Sequence, residues 1–567
     1  MKKIFIILIA IALSAGSVLA QTNCQTYRFE QARKELSDAF GTHQQKQKDY
    51  QYLGAYGAIT THVVGDTITF WNWDLSVMPP VWIRVPSTCR AVTDNAYIFV
   101  ADDQWNVHMD SSDVAQVAYY WEEGTYSDST AGIYTLDTEN FGPPPDELDN
   151  DDHIYIFYSE LGSFQGSTFD GYFSVFNEYT EEEAQQLGGH SNEVEMFYMS
   201  CNPGDPVSPL RISVLAHEFE HMIHWAADPN EESWVDEGCA EYAMLLFGVP
   251  DPLVSFPGNS DNDLTSWNNQ FADYVKTFMF FTYLADHFGG ADMIRAIVQE
   301  PANSIDGVAN ALANNGYQIP FPAVFINWTI ANYYHFYGVH SFDPDSTYLY
   351  YSIDPPQFSY SDYHHDLPVG PLNRHVNNWA ADYIVFREHM WIETPLRIIF
   401  DGGTEGDYSL AMLYGCNTDG FCADAYVPDD DGHWQLYRPV EYGNVAFMVC
   451  APGVGGHNYT YTADLITGIK DKQTVPIKFS LEQVYPNPFN SSTQIQINAP
   501  ATGQANLAIY DITGRLVRQW QVEVSAGLNA ITWDGTDTHG REMASGMYLF
   551  RLSDDSNTQI AKGTLLK

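Results

Sequence analysis

Residues 209–226 read "PLRISVLAHEFEHMIHWA", a helical apolar pattern with ionisable side chains set inside it. Val214, Leu215, Phe219, Met222 and Ile223 supply the packing groups. His217 and His221 are four residues apart, so on a helix they stack one turn apart on one face. Two imidazoles at that spacing both reach a single metal ion. Glu218 is offset by one residue, beside the ion rather than on it, where a general base for a zinc-activated water belongs. An H-E-x-x-H match also arises by chance, so three readings stand: a working enzyme, a structural metal site, or coincidence.

A catalytic zinc usually has three protein ligands and one open position. His224 lies on the same stripe, but three histidines stacked on one straight helix do not converge on one ion. It reads as a packing histidine or as a partner of a ligand. The metzincin pattern needs Gly at His224 and His at Ala227, so it fails. The other source is the stretch 233–247, "SWVDEGCAEYAMLLF". Ser233 and Asp236 have capping-box spacing. Glu237 and Glu241 share one face, so one can ligate while the other hydrogen-bonds a ligand histidine. Gly238 lacks a side chain and lets this helix approach the first one closely. Cys239 reads as buried packing rather than as a ligand. A solvated acidic face competes with all of this, yet such faces rarely carry Gly and Ala between their acids.

"HEFEH" followed by "WVDEGCAEY" resembles the gluzincin metallopeptidases. The resemblance implies zinc held by His217, His221 and Glu237, with Glu218 as the catalytic carboxylate; Glu241 and His224 keep the place behind the ligands that their helix faces give them. "YVKTFMFFTYLADHFGG" (274–290) is similar to a helix of aminopeptidase-type gluzincins, whose leading Tyr stabilises the tetrahedral intermediate. Tyr274 and Lys276 occupy the matching positions. The interval from His221 to Glu237 is shorter than in the aminopeptidases, Thr277 replaces the usual Gly, and a G-x-M-E-N motif is missing. The resemblance over about 95–335 is closer to secreted bacterial gluzincins of the hyicolysin-like and immune-inhibitor-A-like groups. It implies a zincin-like α+β fold, peptide or protein substrates, and an edge strand in "NEVEMFYM" along which a peptide pairs.

The first residues carry Lys2 and Lys3, an apolar run from Ile4 to Leu13 and a small-residue cleavage site, so 1–20 reads as a signal peptide. The run is short for a bilayer span, and no later stretch reads as a transmembrane helix. The net charge of -48 disfavours nucleic acid and anionic membrane surfaces as partners. It fits solubility outside the cell, or calcium binding. "PPPDELDNDDH" (143–153) offers oxygen ligands for Ca2+ but lacks EF-hand spacing, so a solvated acidic turn competes with that reading. Seven cysteines are odd in number, so at least one is unpaired within the chain. Cys416, Cys422 and Cys450 are close enough in sequence to supply one bridge.

Residues 21–90 form either a pro-segment or the opening layer of the next domain. A mixed α and β region spans 91–340, an all-β sandwich 341–465, and a linker 466–480. The final block, 481–567, contains "YPNPFN", "YDITGRLV", "WDGTDTHG" and "ASGMYLFRL". It is similar to the C-terminal sorting domain of type IX secretion substrates, an Ig-like β domain. That resemblance implies the type IX machinery as a partner and a secreted or outer-membrane surface location. The expectation is therefore multidomain: a zincin-like α+β catalytic domain, an all-β sandwich and a C-terminal Ig-like β domain. The rival is a surface adhesin or glycan-binding protein with a degenerate or structural zinc site, favoured by the 15% aromatic content and the attached sandwich.

Overall fold

The computed structural model describes residues 61–566, apart from 78–80, 336–346, 387–395, 416–420, 429–432, 466–479, 554–557 and shorter breaks. The signal segment 1–20, residues 21–60 and nearly all of the linker lie outside the described residues. The chain divides into two compact units, Met1–Leu465 and Ile466–Lys567.

The first unit is built on a six-stranded mixed sheet. Its strands are β1 (Thr67–Asp74), β2 (Val81–Val92), β3 (Ala96–Ala101), β4 (Ile154–Ser159), β5 (Gly171–Phe173) and β6 (Met196–Ser200), in the order β1-β2-β3-β4-β6-β5. The centre, β3-β4-β6, is parallel, and β5 closes the edge antiparallel to β6. "AYIFVA" and "IYIFYS" are buried at every position. Continuous apolar runs of this kind belong to parallel strands covered on both faces.

The sheet starts at Thr67, so residues 67–90 take part in its first layer. The strand 196–200 is not the edge: it pairs with β4 on one side and β5 on the other. The edge is β5, whose three residues gave too short a pattern to read from sequence.

Helices α1 (Ser111–Glu122), α2 (Ile133–Asn140), α3 (Glu181–Gln186), α4 (Pro209–Ala227), α5 (Ser233–Phe247), α6 (Phe271–Phe288), α7 (Ala291–Val298), α8 (Ser304–Asn314) and α9 (Phe321–Tyr334) cover the sheet and pack on one another. The pattern of α4 is buried without a break from Ile212 to Ala226. α5 ends at Gly248, whose φ of 99° is the left-handed conformation that glycine supplies at helix ends.

The β-rich stretch of the first unit forms a five-stranded and a four-stranded sheet, with a core containing Ile384, Phe400, Phe447 and Tyr459 between them. It is not a separate bead. Tyr383, Leu413 and Met448 join the same core as the helices. The Tyr334 hydroxyl accepts from the Tyr414 amide at 2.9 Å, and Tyr383 donates to the Thr329 carbonyl at 2.5 Å. Cys450 is a buried free thiol donating to the Ser409 carbonyl, so it does not bridge. Cys416 and the side chain of Cys422 lie outside the described residues.

The second unit is a small sandwich of a three-stranded and a four-stranded antiparallel sheet. Ile495, Ile497, Leu507, Ile509, Trp533 and Phe550 fill it. Among the described residues, no helix is long and apolar enough to cross a membrane.

Candidate metal centre

The centre lies where α5 crosses α4, on the side of the sheet closed by β5. Pro209 begins α4, a position where its missing amide costs nothing. About two and three turns later come His217 and His221. Their Nε2 atoms are 3.1 Å apart. Glu237 Oε2 on α5 is 3.3 Å from the His217 Nε2 and 3.5 Å from the His221 Nε2. A tetrahedral ion with bonds of about 2.0–2.1 Å needs its ligand atoms about 3.3–3.4 Å apart. Two imidazoles alone could share a hydrogen bond at such a distance. The carboxylate oxygen at the third corner makes the group a ligand set, and these three side chains are able to hold one metal ion.

Charge state separates the two glutamates of α5. Burial acts to raise Glu237, but His221 and His217 outweigh it and hold its carboxyl below the usual range. Burial pushes Glu241 up. Glu241 Oε1 stands 3.4 Å from His217 Nδ1, the far side of that ring from the ligand corner. A partner there orients a ligand imidazole.

Sequence reasoning missed Asp236. Its Oδ2 lies 3.2 Å from His221 Nδ1, so it does for His221 what Glu241 does for His217. Its Oδ1 is 3.4 Å from His224 Nδ1. The expected capping box is absent: Glu232 is the N-cap, without a side-chain cap, and Ser233 already belongs to the helix. Spacing alone could not separate a capping Asp from one facing a histidine. His224 is not part of the tripod. It faces Glu220 Oε1 at 3.3 Å as well as Asp236. Burial opposes its charge, yet Glu220 and Asp236 prevail and hold it above the ordinary imidazole value.

Glu218 is fully buried beside the tripod. It sits against the edge strand, where a Cβ added at Gly171 would lie 2.9 Å from Glu218 Oε1 and 3.1 Å from Met199 Sδ. The absent side chain at Gly171 is therefore what admits this carboxyl. A lone Gly in "DGYF" carried no signal for that role.

Gly238 behaves differently from its expectation. A Cβ there would meet Phe281 Cδ2 of α6 at 2.3 Å, so the close approach is to α6 rather than to α4. Tyr274 lies in the first turn of α6, buried, with its ring edge-on to Trp267 at 4.9 Å. The tripod closes without it. Lys276 is a buried structural cation, bound to Asp273 at 2.8 Å, to Asn262 at 3.0 Å and to the Ser266 carbonyl at 2.5 Å. In the acidic turn 143–153, Asp151 accepts from the Tyr97 hydroxyl at 2.7 Å and also meets His153. Burial pushes Asp149 up to about 6. Among the described residues the groups able to hold a metal lie on α4 and α5, not in this turn.

The tripod and Glu218 side chains are 0–1% exposed.

Residues 487–558 match the FlgD Ig-like domain family. The second unit is thus an Ig-like domain, and the chain is multidomain with mixed α and β structure. No curated protein matches the chain. Among solved structures, PorZ of Porphyromonas gingivalis, described as a surface component of the type IX secretion system, is 22% identical, with TM-score 0.13 over 19% of this chain and 14% of that one. FlgD from P. aeruginosa is 25% identical, with TM-score 0.12 over 13% of this chain and 64% of that one. Dimeric latent PorU of P. gingivalis is 16% identical, with TM-score 0.16 over 33% and 20%. The chain spans less than two thirds of each, and likenesses this low carry no argument about activity.

Proposed function

We propose that this protein is an exported zinc metallopeptidase, acting on peptide bonds as an endopeptidase through a gluzincin-type centre on a zincin-like α+β domain. The observation that carries the reading is the tripod of His217, His221 and Glu237, with edges of 3.1–3.5 Å and Glu218 buried beside it. Zinc held by these residues supplies Lewis-acid activation of the attacking water and of the scissile carbonyl. Glu218 takes the proton of the attacking water and returns it to the leaving amine. Glu241 and Asp236 hold the two ligand rings through their Nδ1 atoms. Tyr274 is the expected donor to the developing oxyanion. The antiparallel edge β5, against which Glu218 rests, is where an extended substrate would add.

Export is part of the same proposal. It rests on the signal-like segment 1–20 and on the sorting-domain resemblance of 481–567; the FlgD Ig-like match supports the Ig-like part of that reading.

The complete burial of the tripod favours a second reading, a closed structural zinc site in a surface adhesin. One experiment separates them. Glu218→Gln should keep bound zinc and lose casein hydrolysis by about 10²–10⁴-fold, as removal of a general base does. Wild-type protein that binds zinc and never hydrolyses casein, with or without chelator, would leave the structural reading.

A further inference from the structure

A second cluster lies one stripe around the same two helices. Glu220 and His224 are one turn apart on α4, and Cys239 follows Glu237 by two residues on α5. One ligand atom of each lies within 4.8 Å of the others, and all three side chains are buried. Both oxygens of Glu220 and both nitrogens of His224 lack a hydrogen bond, although Glu220 and His224 approach at 3.3 Å. Cys239 is a free thiol.

Helix α2 packs on α4 and brings Asp137, fully buried, with neither oxygen hydrogen-bonded. Burial, and then the charge of Glu220, push the Asp137 carboxyl well up. Ionised carboxylates do not persist in a core unless paired or bound to a metal. Here one imidazole faces Glu220 and Asp236 together.

We propose that Glu220, His224 and Cys239 form a second, structural zinc site. A thiolate and an imidazole select zinc over calcium or magnesium, and all three ligands are buried, as at a structural site. Binding releases the Cys239 proton. The ion would staple α4 and α5 together. Asp236 would join the centres, with one oxygen 3.2 Å from His221 and the other 3.4 Å from His224. The proposal reverses the expectation that Cys239 is only packing. It does not rest on peptide hydrolysis.

The test uses the full chain loaded with Zn2+ or Co2+. The tripod contains no sulfur, so a near-ultraviolet thiolate-to-cobalt charge-transfer band reports the second site alone. Wild type should bind two equivalents and show the band. Cys239→Ser should bind one equivalent and lose the band. His217→Ala should also bind one equivalent yet keep it, so failure of the tripod and failure of this site look different. If Cys239→Ser does not fold, the isosteric Glu220→Gln should weaken cobalt binding, read by that band, at least about tenfold. Folded wild type with one equivalent and no band overturns the proposal and leaves His224 as an imidazolium between Glu220 and Asp236. A band that survives Cys239→Ser, or is untouched by Glu220→Gln, overturns it too.

Discussion

Replacing Gly238 by Ala tests whether helix packing sets the metal geometry. The new Cβ would stand 2.3 Å from Phe281 Cδ2 and 2.6 Å from Phe281 Cε2. Carbon atoms pack at about 3.5–4.0 Å, so roughly 1 Å of movement is required. The Phe281 ring has little room to turn. It is fully buried and pinned by Trp234 and Phe280, with ring centroids 5.9 Å and 5.8 Å away. The movement therefore falls on α5, and Glu237 is the neighbouring residue. Metal sites tolerate about ±0.2 Å in ligand distance, so a shift of even half the required size spoils the third corner.

Stability changes less than affinity. Ala gains about 1 kcal/mol of helix propensity over Gly, which offsets part of an overpacking cost of about 1–3 kcal/mol. The expected outcome is a folded Gly238→Ala protein whose zinc affinity falls at least about 10–100-fold, no less than for loss of a ligand's outer partner. Competition against a chromophoric chelator measures that affinity. Thermal melts with zinc and with chelator check it, because the zinc-dependent rise in Tm should shrink. Wild-type zinc affinity in a folded Gly238→Ala chain would refute the reasoning and show that the Phe281 side absorbs the overlap.

Glu237→Gln should remove most zinc bound at the tripod, while Glu241→Gln should weaken it by about 10–100-fold; metal analysis that finds the reverse order would exchange their roles. Tyr274→Phe keeps the ring and removes the donor, so kcat on a peptide substrate should fall about 10²–10³-fold with zinc content unchanged, and a near-wild-type kcat would assign the oxyanion to another residue. Deleting 466–567 should leave casein hydrolysis intact and stop appearance outside the cell, since the first unit has its own cores and holds every site residue; normal export of the truncated chain would contradict the sorting-domain reading.

Much of the site was legible because its grammar is local. A four-residue interval on a helix stacks two imidazoles whatever surrounds them, so His217 and His221 were readable as a pair, and Glu218 as their neighbour. The turn-rich strands of the second unit were readable for the same reason. What the sequence could not decide was which distant groups meet. Glu237 and Glu241 share a face, and only the crossing of α4 and α5 puts one oxygen 3.3 Å from His217 Nε2 and the other glutamate 3.4 Å from Nδ1. Asp236 looked like a cap because caps and buried partners share one spacing. Gly171 against Glu218, Gly238 against Phe281 and the edge position of β5 all depend on contacts between residues far apart in the chain. Periodicity records which face of an element is apolar. It carries no record of which other face that element will meet, and that choice is made by packing the whole core at once.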